Sequence, residues 1–319
     1  MNILVLFLLR RLVLLIGALA VASLLIFLVL RLLPGDVAQT IGGIQASPAQ
    51  LAQIRRELGL DRPLLAQYWT WISGVVTGDL GYSPLDGASV SSQLASKLAV
   101  TGPLALGAVL LAVLGAVPLG VLAAVRRRGR VGTAVSALSQ LGIALPTLWV
   151  GLLLVTVFAV ETRLLPAEGF PVDGWASPGQ ALRSLVLPCV TLALPEGAVL
   201  LRFVRSAVLD VLDQDWLRTA RAKGRTRTGA LLHHGLRNAA PPVVSVLGLE
   251  LATLIVGAVI VEQVFNLPGV GAMLITDVGE RDLAMVQGEV LVITAAILVI
   301  GFAVDVAHRL IDPRLGGRE

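Results

Sequence analysis

The stretch RRLVLLIGALAVASLLIFLVLR, Arg10 to Arg31, decides the fold. Between the terminal arginines, Leu12–Leu30 contains no charged residue. Its apolar side chains occupy every sector of a 3.6-residue turn, so no face of the helix suits water. At 1.5 Å per residue the run is roughly 28 Å long, enough to cross the hydrocarbon core of a bilayer. Ala18-Leu19-Ala20 has the small-residue form of a leader cleavage site, but the apolar run continues to Leu30. A retained first span is therefore expected rather than a cleaved signal peptide.

Composition extends that reading to the whole chain. Of 319 residues, 56% are hydrophobic and only 14% charged, with a mean hydropathy of +0.85. A water-soluble fold of this size needs more charge on its surface. The sequence pI is near 10.0, yet the net charge is only +4, and the basic residues lie in clusters between apolar runs. That segregation fits membrane topology and argues against a nucleic-acid-binding face. The single cysteine, Cys189, excludes an internal disulfide and leaves the redox compartment open.

Six candidate spans follow: Leu12–Leu30, Val100–Val125, Ala134–Val160, Leu185–Val204, Val243–Val264 and Val286–Val306. The expected fold is an all-α integral membrane protein, a single domain over residues 1–319. Pro103, Pro118 and Pro146 are expected to kink or end the second and third spans. Pro188 and Pro195 are expected to interrupt the fourth. Arg10, Arg11, the Arg126–Arg130 cluster and the basic residues from Arg202 to Arg237 fall on one side, with Arg309, Arg314 and Arg318. The positive-inside rule puts that side, both termini included, in the cytoplasm.

Residues 33–99 form an external insertion with helix signals of its own. Ser47-Pro48-Ala49-Gln50 supplies an N-cap, a first-turn proline and a capping-box glutamine, and Gly59 stops that helix. A second helix is predicted over Pro63–Val76, with Tyr68, Trp69 and Trp71 suited to the membrane interface. Ser177-Pro178-Gly179-Gln180 repeats the capping pattern ahead of the fourth span. These elements suit either the outer mouth of a pathway or plain packing decoration.

On the opposite side, residues 208–240 form a long cytoplasmic loop. Within it lies Asp215-Trp216-Leu217-Arg218-Thr219-Ala220-Arg221-Ala222-Lys223-Gly224. Asp215 can cap a first turn, Arg221 and Lys223 complement the negative C-terminal end, and Gly224 can end the helix. Trp216, Thr219, Ala220 and Lys223 share a face at i, i+3, i+4 and i+7. A helix of about two turns is marginal alone and requires contacts. A groove in a partner protein and an anionic lipid surface both fit it.

This segment resembles the coupling, or EAA, loop of ABC-importer permeases, with the pattern's Gly at Gly224 and Arg218-Thr219-Ala220 in place of Glu-Ala-Ala. The departure is similar to the version found in dipeptide/oligopeptide/nickel permeases, as is His234-Gly235-Leu236-Arg237-Asn238-Ala239. Other matches resemble the B-type subunit of that family, in its order. They are Leu30–Asp36, Leu58–Pro63, Gly78–Ser83, Val261–Phe265, Pro268–Gly271 and Asp312-Pro313-Arg314. The resemblance implies six transmembrane helices, a bacterial inner-membrane location and half of a translocation pathway for di- or oligopeptides. It also implies a second permease subunit, two cytoplasmic ATP-binding subunits and an extracytoplasmic substrate-binding protein. The 215–224 helix would then seat in an ATPase cleft. Nickel and glutathione stay open as cargo.

Glu196, Glu250, Glu262, Glu289 and Asp305 lie in or near spans, where a bare charge costs about 2.5–3.5 kcal/mol and normally faces protein or water. Glu262 and Glu289 are expected near the outer interface and Asp305 near the inner one. Glu196, beside Pro195 and Gly197, and Glu250 are the pathway candidates, with structural pairing as the alternative. The chain has no phosphate-binding G-x-x-x-x-G-K-[ST] loop, no nucleophile elbow and no zinc-protease histidine pair. Adjacent His233 and His234 diverge on a helix and cannot form an i, i+4 metal pair. No catalytic site, cofactor or metal is expected. An ion-gradient transporter using Glu196 or Glu250, and a non-transporting membrane scaffold, are the rival readings.

Overall fold

The computed structural model describes residues 3–32, 37–43, 45–215, 219, 222, 224, 226–231 and 235–311. Among them the fold is helical, with one isolated β-bridge between Tyr82 and Ser89. The long helices are α1 (Ile3–Leu32), α5 (Val90–Val125), α8 (Pro178–Leu212), α9 (Leu236–Val264) and α11 (Leu283–Ile311). Shorter ones are α2 (Val37–Gly42), α3 (Pro48–Glu57), α4 (Leu64–Thr77), α6 (Arg130–Ala144), α7 (Thr147–Leu154) and α10 (Val270–Glu280). Among the described residues, five helices are long and apolar enough to cross a membrane, and six spans result if the bent α6–α7 pair is one.

The third expected span is the bent one. Leu145 (ψ 121°) and Pro146 (ψ 136°) are both extended, and the helices on either side meet at 102°. The pyrrolidine ring disfavours the helical region for the residue before it, which is why the break falls there. Beyond α7 the chain continues as a π-helix, Val155–Glu161.

Elsewhere the prolines do not interrupt. Pro103 and Pro118 lie inside a continuous α5, and Pro188 and Pro195 inside a continuous α8. The expected break beside Glu196 is therefore absent. Proline removes one backbone donor, but an apolar helix enclosed by others tolerates that loss. Most residues of α8 on its packed faces are buried, from Ala181 to Leu212. Ser177 also departs from expectation: it makes no side-chain cap, and its hydroxyl donates to Asp173. The capping box at α3 does form, with Ser47 N–H donating to Gln50 Oε1 at 2.8 Å and Gln50 N–H to Ser47 Oγ at 3.3 Å.

The chain packs as two compact units. The first comprises Met1–Thr101 with Pro268–Val299. Its core joins Val90, Leu94, Val270, Met273 and Met285. Asp282 caps α11 there, accepting from Met285 N–H at 3.1 Å, while its other oxygen accepts from Ser83 Oγ at 2.5 Å.

The second unit comprises Gly102–Leu267 with Ile300–Glu319. Its centre is α8, packed against α6, α7 and α9. Small residues set the approach distances. A Cβ on Gly107 would lie 2.7 Å from Cys189 Sγ, one on Gly120 2.8 Å from Val204, and one on Gly142 2.7 Å from Ala198. Membrane helices use such residues because close van der Waals contact, not water exclusion, holds them together. On α9 and α11, Gly248 faces Val304 in the same way, and His308 Nε2 lies 3.1 Å from the Pro241 carbonyl and 3.0 Å from Ser245 Oγ.

Candidate functional site

Of the 215–224 segment, Asp215, Thr219, Ala222 and Gly224 are described, and all are exposed. Asp215, Thr219 and Ala222 are helical, and Thr219 Oγ1 donates to the Asp215 carbonyl at 3.2 Å, one turn back. Gly224 has φ +88°, a left-handed conformation that glycine adopts without a Cβ penalty. Trp216, Leu217, Arg218, Ala220, Arg221 and Lys223 lie outside the described residues, as do His233, His234 and Asp312-Pro313-Arg314.

The segment follows directly from α8. Asp213, just past the helix end, accepts two hydrogen bonds from the Arg127 guanidinium, at 3.1 Å and 3.0 Å. Arg127 belongs to the basic turn after α5, so this pair ties that turn to the start of the loop. Sequence reading placed Arg127 only in a topological charge count and missed its partner. Nothing in a spacing of 86 residues announces the contact.

The two pathway candidates come together. Glu196 on α8 and Glu250 on α9 are half-buried, and their carboxyl groups are within hydrogen-bonding reach of each other. Thr253, one turn beyond Glu250, places Oγ1 3.5 Å from both Glu196 oxygens and donates to the Glu250 carbonyl at 2.9 Å. The helical i, i+3 spacing puts Thr253 and Glu250 on one face of α9. Two acidic groups facing each other can share a proton or jointly receive a cationic group. Elsewhere in this unit, α5 to α8 line an apolar groove of about 570 Å³, with Leu111, Leu138, Gly142, Leu153 and Leu194 on its walls.

Of the other acids in or near spans, Glu262 and Glu289 are fully buried within the protein, Glu262 two residues before the end of α9 and Glu289 six residues into α11. In the first unit Glu289 lies near Asp277 and Asp282. Each acid reads as isolated in the sequence, and α10, which carries Asp277, was not foreseen as a helix.

Comparison with known proteins matches this architecture along nearly its full length. Residues 116–317 match the family model of the binding-protein-dependent transport system inner membrane component. Residues 4–102 match the model for the N-terminal part of the same membrane component. A probable peptide ABC transporter permease protein of Sinorhizobium fredii is 39% identical over 310 residues, 97% of this chain and 98% of that protein. The glutathione transport system permease protein GsiC of Salmonella choleraesuis is 39% identical over 312 residues, with the same 97% and 98% coverage. Its namesake in Escherichia coli K12 is 38% identical over 309 residues, again at 97% and 98%. With its membrane-spanning helices, the chain belongs to the family of binding-protein-dependent transport system inner membrane components: it is a multi-pass permease subunit of an ABC importer, a class without an ATPase site of its own.

Proposed function

We propose that this subunit forms half of a translocation pathway for di- and oligopeptides. A second, similar permease subunit completes the pathway, two cytoplasmic ATP-binding subunits drive it, and an extracytoplasmic binding protein delivers cargo. The observation that carries the reading is the near-full-length likeness to a probable peptide permease and to glutathione permeases. Glutathione is itself a tripeptide, so both names describe one chemistry: a short chain with an ammonium and carboxylates.

The 215–224 helix is the contact to the ATPases, with both termini on the same cytoplasmic side. The exposure of Asp215, Thr219, Ala222 and Gly224 supports this, because a docking surface must be free in the isolated subunit. Glu196 and Glu250 line the pathway, where two acids suit the passing ammonium. Nucleotide-driven closure of the ATPases would move the helix and switch the spans between outward and inward access. Membership in a family driven by separate ATPases does not favour the ion-gradient alternative.

Reconstituted uptake tests the proposal. Proteoliposomes holding the whole complex should accumulate labelled dipeptide or glutathione when ATP and binding protein are supplied. Uptake by this chain alone, driven by an ion gradient without ATP, would overturn it. Accumulation of nickel with no peptide uptake would overturn the cargo class alone.

A further inference from the structure

We infer that α4 is not an aqueous external helix but lies in the lipid interface, with Leu65, Trp69 and Val76 against acyl chains of the leaflet at the Arg31 end of α1. The 14 residues of α4, LLAQYWTWISGVVT, include no charge. At 1.5 Å per residue the helix is roughly 21 Å long, too short to span and of the length expected for an interfacial segment.

Its depth is set by what it touches. Tyr68 OH and Ser23 Oγ are hydrogen-bonded at 2.9 Å, and Phe27 packs edge-on to Tyr68 and stacked on Trp71, with centroids 5.5 Å and 6.3 Å apart. Phe27 is one helical turn before Arg31 and Ser23 two turns, about 6 Å and 12 Å down the axis of α1. The Arg31 guanidinium lies over the Phe27 ring, 5.5 Å from its centroid, which marks the polar boundary near Phe27. Tyr68 therefore reaches about one turn below that boundary, inside the apolar part of the span. Ser23 is only 1% exposed, so the tyrosine hydroxyl finds its partner in protein rather than water. At the same level, α1 exposes Leu24, Leu25, Leu28 and Val29.

The three sectors of α4 then have separate tasks. Gln67, Tyr68, Trp71 and Val75 make the packed side. Leu65 (80% exposed), Trp69 (72%) and Val76 (83%) fall within about 40° of one another at 100° per residue and form an apolar stripe. Thr70, Ser73 and Thr77 occupy the remaining sector, and each hydroxyl bonds back to a carbonyl of its own helix. An amphipathic division of the exposed side is what a helix in the plane of the interface requires. Of the three aromatic residues that the sequence assigned to the interface, only Trp69 faces outward. Tyr68 and Trp71 instead fasten the helix to α1.

Collision accessibility tests the placement. Cys189→Ala removes the native thiol of this chain, and Leu65→Cys, Trp69→Cys, Ser73→Cys, Val76→Cys and Thr77→Cys, made one at a time, carry nitroxide labels in the lipid-reconstituted complex. Labels at 65, 69 and 76 should collide more with oxygen than with a water-soluble nickel chelate, and those at 73 and 77 should show the reverse. Preferential chelate access at all five positions would return α4 to water. Exclusion of both reagents at 65, 69 and 76 would assign the stripe to a protein partner and equally overturn the inference. Three labels in one sector keep the test standing if one variant fails to assemble.

Discussion

Arg127 holds Asp213 in a two-pronged grip, Nη1 to Oδ2 at 3.1 Å and Nη2 to Oδ1 at 3.0 Å. Planar guanidinium and carboxylate match in this geometry, so the contact fixes orientation as well as charge. It stands between the turn after α5 and the first residues of the 215–224 segment. Movement of that segment must therefore carry the end of α5 with it or break the pair.

Removing the grip should weaken coupling without unfolding the subunit. For Arg127→Ala, ATP-driven uptake should fall by no more than about fivefold, because exposed ion pairs contribute little and are screened by salt. The exchange Arg127→Asp with Asp213→Arg should recover much of the loss. The hydrogen bond to Asp213, and then its charge, hold Arg127 above its ordinary pKa. Such a raised basic group keeps its contribution at every pH below its ordinary value and loses it only in strong alkali. Uptake should accordingly respond to salt but show no titration of Arg127 between about pH 6 and 9.

Helix packing in the second unit makes a paired prediction. In Gly120→Ala the new methyl would meet Val204 at 2.8 Å and the Leu201 carbonyl at 3.0 Å, whereas at Gly115 nothing lies within 4 Å. Overpacking should cost the first variant about 1–3 kcal/mol. The second should gain roughly 0.5 kcal/mol from replacing a mid-helix glycine. Thermal unfolding of the detergent-solubilised complex will show whether the two shifts differ in sign.

If Glu196 and Glu250 receive the peptide's ammonium, neutralising either should slow uptake of peptides with a free amino terminus by about tenfold, the scale of one charge-assisted hydrogen bond. Glu280→Gln, on the exposed end of α10, serves as the control. Equal loss for free and N-acetylated peptides would assign the pair to structure instead.

Asp86 sits in the turn before α5, where the Ala88 backbone N–H lowers its pKa from the ordinary 3.8. A depressed carboxyl contributes its full stabilisation above the ordinary value and loses it as pH falls through the lower folded value. The protection factor of the Ala88 amide, its exchange rate relative to an unprotected amide at the same pH, should thus be steady at neutral pH and fall only in strong acid. Asp86→Ala should show the lower protection at neutral pH, with the difference closing in strong acid.

Much of this architecture was legible because apolar runs such as Leu12–Leu30 have only one stable solution in lipid. Capping chemistry was equally local: Ser47 and Gln50 meet within a single turn, and the box forms as read. Proline was harder. The effect of Pro146 depends on its immediate neighbours, but Pro188 and Pro195 depend on the helices enclosing α8, which no local window contains. The acids show the same limit. Glu196 and Glu250 were singled out separately as costly in a membrane, yet their proximity follows from the packing of α8 on α9. Tyr68, Trp69 and Trp71 read alike by composition, and only the docking of α4 on α1 separates anchor from lipid face.

Co-purification tests the coupling role most directly. The whole complex should be isolated through a tag on this chain, comparing wild type with the Ala220→Arg plus Gly224→Arg variant. Long cations at those positions should be rejected by a groove shaped for small residues, and arginine at 224 must also adopt the φ of +88° that glycine holds there. The expected result is ATP-binding subunits retained by wild type and lost from the variant, whose membrane helices and second permease subunit remain. Full retention of the ATP-binding subunits by a folded variant would contradict the docking role of residues 215–224.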